Sequence, residues 1–190
     1  PHIAYRDNTN QDLRYATYNG SAWVTGTVDT AGNKGENTSI QLGPDGQPRI
    51  AYRDVTAGNI NYATYNGSSW SVTTAITGGD DAGKISLAFN GSSQPAISHY
   101  PYPTARLRYS LFNGSTWDTT TVTASSDTGS SNSLAFTSGG LARIAYMDFT
   151  AQSLKLASFN GSSWSTETVD ASGNFSSWLG FALDASDRPH

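Results

Sequence analysis

At 190 residues the chain can hold one sizeable core or a short repeat array, with 14% charged and 12% aromatic residues, 19 glycines and no cysteine. A net charge of −4 argues against nucleic acid, which needs a basic footprint, and against electrostatic docking on anionic membranes. Without cysteine there are no disulfides and no thiolate metal sites, and no apolar run approaches a membrane span, so no membrane insertion is expected.

From the N-terminus, the first strand signal is Pro-His-Ile-Ala-Tyr-Arg-Asp at positions 1–7, and it returns at a fixed step of 47 residues. Ile3, Ile50, Ile97 and Ile144 share a position, as do Asn19, Asn66, Asn113 and Asn160, and Trp23, Trp70, Trp117 and Trp164. Glycines stand three before each Trp, at Gly20, Gly67, Gly114 and Gly161. The whole chain reads as a single array of repeats 1–47, 48–94, 95–141 and 142–188, with 189–190 opening a further one, because Pro189-His190 repeats Pro1-His2. A period of this size marks a repeat architecture. The chain has no initiator Met and starts inside a repeat, which predicts a piece of something longer.

The second repeat shows the elements in order. Residues 48–54 form a strand rich in β-formers, opened by Pro48 and closed by Asp54. A turn around Gly58 leads to a period-2 strand over 60–65. Asn66-Gly67 follows; Asn-Gly is the strongest short hairpin signal, because both central residues of a type I′ turn need positive φ. The return strand runs over 68–76 and carries Trp70, a loop covers 77–84, and Ser86-Leu87-Ala88-Phe89 is a last short strand. Four antiparallel strands and no helix per repeat predict a β-propeller blade, an all-β fold. The Ser-Leu-Ala-Phe strand is expected innermost and the Trp strand outermost. The chain then begins on a second strand and ends on an innermost one, Gly180 to Leu183, which could close a ring by pairing with Ile3 to Arg6. A four-bladed ring and half of an eight-bladed ring both fit.

The pattern Ser-Leu-Ala-Phe, Pro-x-Ile-Ala-Tyr-x-Asp, Tyr-Ala-x-Tyr-Asn-Gly-Ser-x-Trp resembles the blade repeat of bacterial sialidase-like (BNR-type) propeller proteins and, more loosely, that of fucose-binding propeller lectins. The resemblance covers nearly the whole chain and implies a propeller; it does not choose an activity, since propellers host lectins, hydrolases and scaffolds. The sialidase Asp-box, Ser-x-Asp-x-Gly-x-x-Trp, is not reproduced: Tyr18, Tyr65, Phe112 and Phe159 stand where its Asp belongs. Glu36 and Glu167 are the only glutamates, too few for the nucleophile machinery the resemblance would imply. No enzyme is expected, and no catalytic residue, metal or cofactor.

Asp7, Asp54 and Asp148 share one repeat position, with Pro101 in the fourth. Each carboxylate reads as a strand-closing turn residue; the functional alternative is a ring of carboxylates, with Arg6 and Arg53 beside them, that holds a cation or sugar hydroxyls. The Trp series reads as packing between blades, with one sugar-stacking site per blade as its alternative. Trp178 has no counterpart in the other repeats and is the strongest single candidate for ligand contact. His99 replaces a repeated Tyr and reads as a core substitution. The loop Gly78-Gly79-Asp80-Asp81 has too few carboxylates for a calcium cage. Asn-Gly-Ser at the hairpin tips also spells a glycosylation sequon, as does Asn174-Phe175-Ser176. The Ser/Thr/Asn/Gly-rich, charge-poor composition predicts an extracellular or cell-surface protein; the expected function is a recognition module that binds carbohydrate at the channel face or between blades, and the alternative is an assembly unit that self-associates through its terminal strands.

Overall fold

The computed structural model describes the chain apart from Gly79, Ala82, Ser126, Asn174 and residues 176–178. The described residues form strands and turns, with no helix. The chain divides into two compact units, 1–81 and 82–190.

The first unit holds two antiparallel sheets. Sheet one contains β1 (His2–Asp7), β2 (Asp12–Tyr18) and β3 (Trp23–Asp29) in that order; sheet two contains β4 (Lys34–Leu42), β5 (Pro48–Asp54), β6 (Asn59–Tyr65) and β7 (Trp70–Ile76). Each strand neighbours the next in sequence, which is the up-and-down order of a propeller blade. Burial falls from the middle strands outward. In β5 Ile50, Ala51 and Tyr52 are fully buried, whereas Ser71–Thr74 of β7 are exposed. A strand covered on both faces needs a continuous apolar run, and an outer strand can be Ser/Thr-rich. Leu13, Tyr15, Ile50, Tyr52 and Ala63 form the core of this unit.

The second unit repeats the plan. After the two-residue β8 (Asp80–Asp81), sheet three contains β9 (Ser86–Phe89), β10 (Pro95–His99), β12 (Arg108–Phe112) and β13 (Trp117–Thr121), with β11 (Pro101–Tyr102) in the loop between β10 and β12. Sheet four contains β14 (Thr128–Phe136), β15 (Ala142–Asp148), β16 (Ser153–Phe159) and β17 (Trp164–Asp170). Leu107, Tyr109, Val122, Leu134, Ile144 and Tyr146 are among its core residues. The chain is thus an all-β array of propeller blades, three of them four-stranded.

The strands over 48–54 and 86–89 stand where the sequence puts them. Three features differ. The innermost strands β4 and β14 are nine residues long and extend into what reads as loop, through bulges between Lys34 and Ser39 and between Thr128 and Asn132. Gly35 (φ 82°) and Gly129 (φ 93°) permit this. A Cβ on Gly129 would lie 2.7 Å from Leu107 Cβ, and one on Gly35 3.0 Å from Leu13 Cα, so only glycine lets the strand lie against the preceding blade.

The hairpin tips are not type I′ turns. Gly20, Gly67, Gly114 and Gly161 have positive φ, but the asparagines before them do not. Asn66 Oδ1 instead accepts the amides of Ser68 and Ser69 at 2.9 and 2.8 Å, and its own amide donates to Ser69 O. The loop is four residues long and closed by the Asn side chain, an Asx turn.

At the C-terminus Ala182 exchanges two backbone bonds with His190, and Leu183 bridges to Pro189. This is the register of Phe89 on Pro95 and Phe136 on Ala142. The last innermost segment therefore takes the residues that follow it as partner, where the sequence allowed the N-terminal strand.

Candidate inter-blade groove

Two of the outer-strand tryptophans pack against the sheet before their own. Trp70 meets Tyr15 edge-on at 5.2 Å and Trp164 meets Tyr109 at 5.3 Å, while each also touches the aromatic residue across its own hairpin, Tyr65 or Phe159. Trp117 touches Phe112, and Trp23, half exposed, touches Tyr18. Trp70 and Trp164 therefore act as inter-blade wedges.

In the second unit the wedge leaves space beside it. A groove of about 370 Å³ runs between sheets three and four, lined by Thr123, Ser125, Tyr146, Lys155, Trp164 and Thr166 among others. A second hollow of about 560 Å³ shares Val122–Ala124 and Trp164 and reaches Phe159 and Ser163. Together they give an aromatic wall, several hydroxyls and one ammonium ion, the mixture that suits a sugar ring. The Trp164 Nε1 is buried and donates to no described acceptor. Burial pushes the Tyr146 hydroxyl up to about 12, with the Asp148 charge adding to it and a hydrogen bond from Thr166 opposing it.

The corresponding place in the first unit holds a carboxylate. Asp29 stands 94 residues before Thr123, and its carboxylate accepts the Tyr52 hydroxyl at 2.5 Å. Burial, then this bond, raises the Tyr52 pKa. Lys34, on β4, lies 4.0 Å from Asp29 and is bonded to Asp54. Asn61 also donates to Asp54, at 3.4 Å. In the second unit Thr128 replaces Lys34 and Lys155 replaces Asn61, so the ammonium ion that meets Asp148 comes from β16 and lines the groove.

The strand-closing carboxylates all bond the turns that follow them: Asp7 accepts Thr9 N, Asp54 accepts Ala57 N and Asp148 accepts Ala151 N, at 2.9, 3.0 and 2.8 Å. Asp54 and Asp148 are buried, each against a lysine. Arg53 reaches Glu36 at 2.5 Å, and Arg6 lies half-buried on β1. Asp7, Asp54, Arg6 and Arg53 belong to the first unit and Asp148 to the second. Trp178, Gly79 of the acidic loop and Asn174 of the last sequon lie outside the described residues. His99 is buried, with Nε2 3.1 Å from Ser110 Oγ. Among the described residues no group of three or more His, Asp or Glu could hold a metal ion, and no helix is long and apolar enough to cross a membrane. Reasoning from sequence singled out the strand-closing carboxylates and missed Tyr146, Lys155 and Thr123. The signal was the replacement of Asp29 by Thr123 two repeats later, legible only once the two positions are known to face a Tyr.

No protein-family profile matches the sequence, and no curated protein does. Solved structures do match. The SapL1 lectin in complex with alpha methyl fucoside is 16% identical, with a TM-score of 0.69, over 91% of this chain and 64% of that one. The Aleuria aurantia lectin in complex with Fucalpha1-6GlcNAc is 16% identical, with a TM-score of 0.58, over 89% and 61%. The NanB sialidase of Streptococcus pneumoniae is 16% identical, with a TM-score of 0.50, over 78% and 26%. The likeness shows the propeller fold, shared by lectins and an enzyme. The chain spans less than two thirds of the length of either of these two lectins.

Proposed function

We propose that the chain is a non-catalytic, extracellular or cell-surface recognition module that binds a saccharide in the groove beside Trp164. The observation that carries this reading is the contrast between the two units. The same inter-blade position is plugged by Asp29 in one and open beside an aromatic wall and polar side chains in the other. Two structures of similar fold are lectins holding fucosides, which supports a sugar as the ligand. Glycoside hydrolysis wants two carboxyl groups flanking the bond, and among the described residues no carboxylate lines the groove.

Glycan-array binding, repeated with Ser125→Trp to fill the groove, tests the reading. Loss of binding with an unchanged melting curve is the expected result. If Ser125→Trp binds normally and Trp178→Ala does not, the site is instead at the channel face, with Asp7, Asp54, Asp148, Arg6 and Arg53 as its candidate contacts.

A second reading, self-association, is favoured by the edges of the array. β1 is an edge strand in a sheet of three, while Ala182 and Leu183 pair with His190 and Pro189 outside the four-stranded sheets. Unpaired strand edges invite another chain. Light scattering over a concentration series should then give twice the monomer mass; the monomer mass at every concentration overturns it.

A further inference from the structure

The position that Asp29 occupies in the first unit shows which group the open one lacks. Lys34 is held between two carboxylates, Asp54 in contact and Asp29 at 4.0 Å, and Asp29 also accepts the Tyr52 hydroxyl. The second unit keeps the tyrosine (Tyr146), the strand-closing carboxylate (Asp148) and an ammonium ion (Lys155), but has Thr123 in place of the second carboxylate. The Thr123 hydroxyl is already engaged with Thr128.

The remaining hydrogen-bonding capacity of this wall is mainly donor capacity. Lys155 carries three N–H donors; Asp148 takes one, at 2.7 Å, and no other described acceptor takes the rest. Asp148 spreads its own charge over the Ala151 amide as well. Among the described residues Lys155 is the one charged residue lining the groove. A sugar hydroxyl both donates and accepts, whereas a carboxylate only accepts, and charge-assisted bonds are the stronger kind.

We infer that the groove takes an acidic saccharide, whose uronic-acid carboxylate occupies the place that Asp29 fills in the first unit, against Lys155 and Tyr146. This rests on the groove being a carbohydrate site and names its ligand class.

The test is calorimetric titration of the full chain with trigalacturonate and with its methyl ester, which removes the charge and keeps the ring. The acid should bind at least about tenfold more tightly than the ester, and its affinity should fall as salt rises. Lys155→Met should abolish the difference. Thr123→Asp, which restores the internal carboxylate, should abolish binding of the acid; Lys155→Met carries the test if Thr123→Asp does not fold. Equal binding of acid and ester, unaffected by Lys155→Met, overturns the inference and leaves the carbohydrate reading standing. Array binding to neutral glycans alone, lost in Ser125→Trp, does the same. No binding to any glycan overturns both.

Discussion

Lys155 Nζ stands 2.7 Å from Asp148 Oδ2, reaching it from the third strand of its sheet. Asp54, at the same repeat position, takes its ammonium ion from Lys34 on the innermost strand. Both carboxylates are neutralised, as buried charges must be, but the swap moves the cation from the interior to the groove wall. Side-chain exposure is 9% at Lys34 and 21% at Lys155.

The pair makes stability pH-dependent. Burial raises the Asp148 pKa, but the Lys155 ammonium and the Ala151 and Thr150 amides outweigh it and hold the carboxyl below its ordinary value. A lowered folded pKa stabilises above the unfolded value, near 3.9, and that contribution is lost as pH falls through the folded value. Lys155→Met removes the largest lowering influence and leaves burial opposed only by the Ala151 and Thr150 amides. The Asp148 carboxyl should then titrate at higher pH, and the acid limb of a urea-stability profile should shift upward with it. An unmoved acid limb and an unmoved carboxyl resonance would show that the pair is not coupled in solution.

Two positive-φ glycines, Gly67 at a hairpin tip and Gly129 on the innermost strand β14, separate strain from packing. Gly67→Ala meets nothing within 4 Å and carries only the cost of positive φ, about 1–2 kcal/mol. Gly129→Ala adds a Cβ at 2.7 Å from Leu107 and should lose about 2–5 kcal/mol, since overpacking costs about 1–3 kcal/mol beyond the strain. Thermal unfolding of the two variants side by side checks this. Equal losses would mean that the close approach of β14 to Leu107 is not maintained.

The repeat made the blade plan legible because each strand's position is fixed by local chemistry: the Ile-Ala-Tyr run buried on both faces, the Asn-Gly-Ser tip and the Trp that follows. The long innermost strands were not legible, since Gly35 and Gly129 resemble loop glycines until Leu13 and Leu107 are seen beneath them. The groove was hidden for a related reason. Asp29, Thr123, Tyr52 and Tyr146 lie far apart in sequence, and no period relates the plug to the tyrosine it touches. The repeated carboxylates, conspicuous as letters, prove to be occupied by their own turns.

Hairpin closure by the Asn side chain predicts a specific pattern of substitutions. In a type I′ turn glycine at the Asn66 position would be favourable. Here Asn66 Oδ1 accepts two amides, so Asn66→Gly and Asn66→Ala should each lose about 1 kcal/mol, and Asn66→Asp, which keeps the acceptor, should lose less. Chemical denaturation reads all three. A stabilised Asn66→Gly would return the turn to the I′ class.

The tryptophans share a repeat position but not a load. Trp70 and Trp164 each bridge to a tyrosine of the preceding sheet, at 5.2 and 5.3 Å, whereas Trp23 is 50% exposed, with Tyr18 of its own hairpin against it. Truncating a buried aromatic costs about 3–5 kcal/mol, and these two are partly buried, so Trp70→Ala and Trp164→Ala should lose about 2–3 kcal/mol. Trp23→Ala should lose under about 1 kcal/mol in the monomer, as surface substitutions do. If the chain self-associates, Trp23→Ala should instead become costly as protein concentration rises, because whatever covers the indole then adds the burial that Trp70 and Trp164 already have. Melting temperatures of the three variants across a concentration series separate these cases: a concentration-independent Trp23→Ala loss as large as that of Trp164→Ala would contradict the exposed position of Trp23 in sheet one.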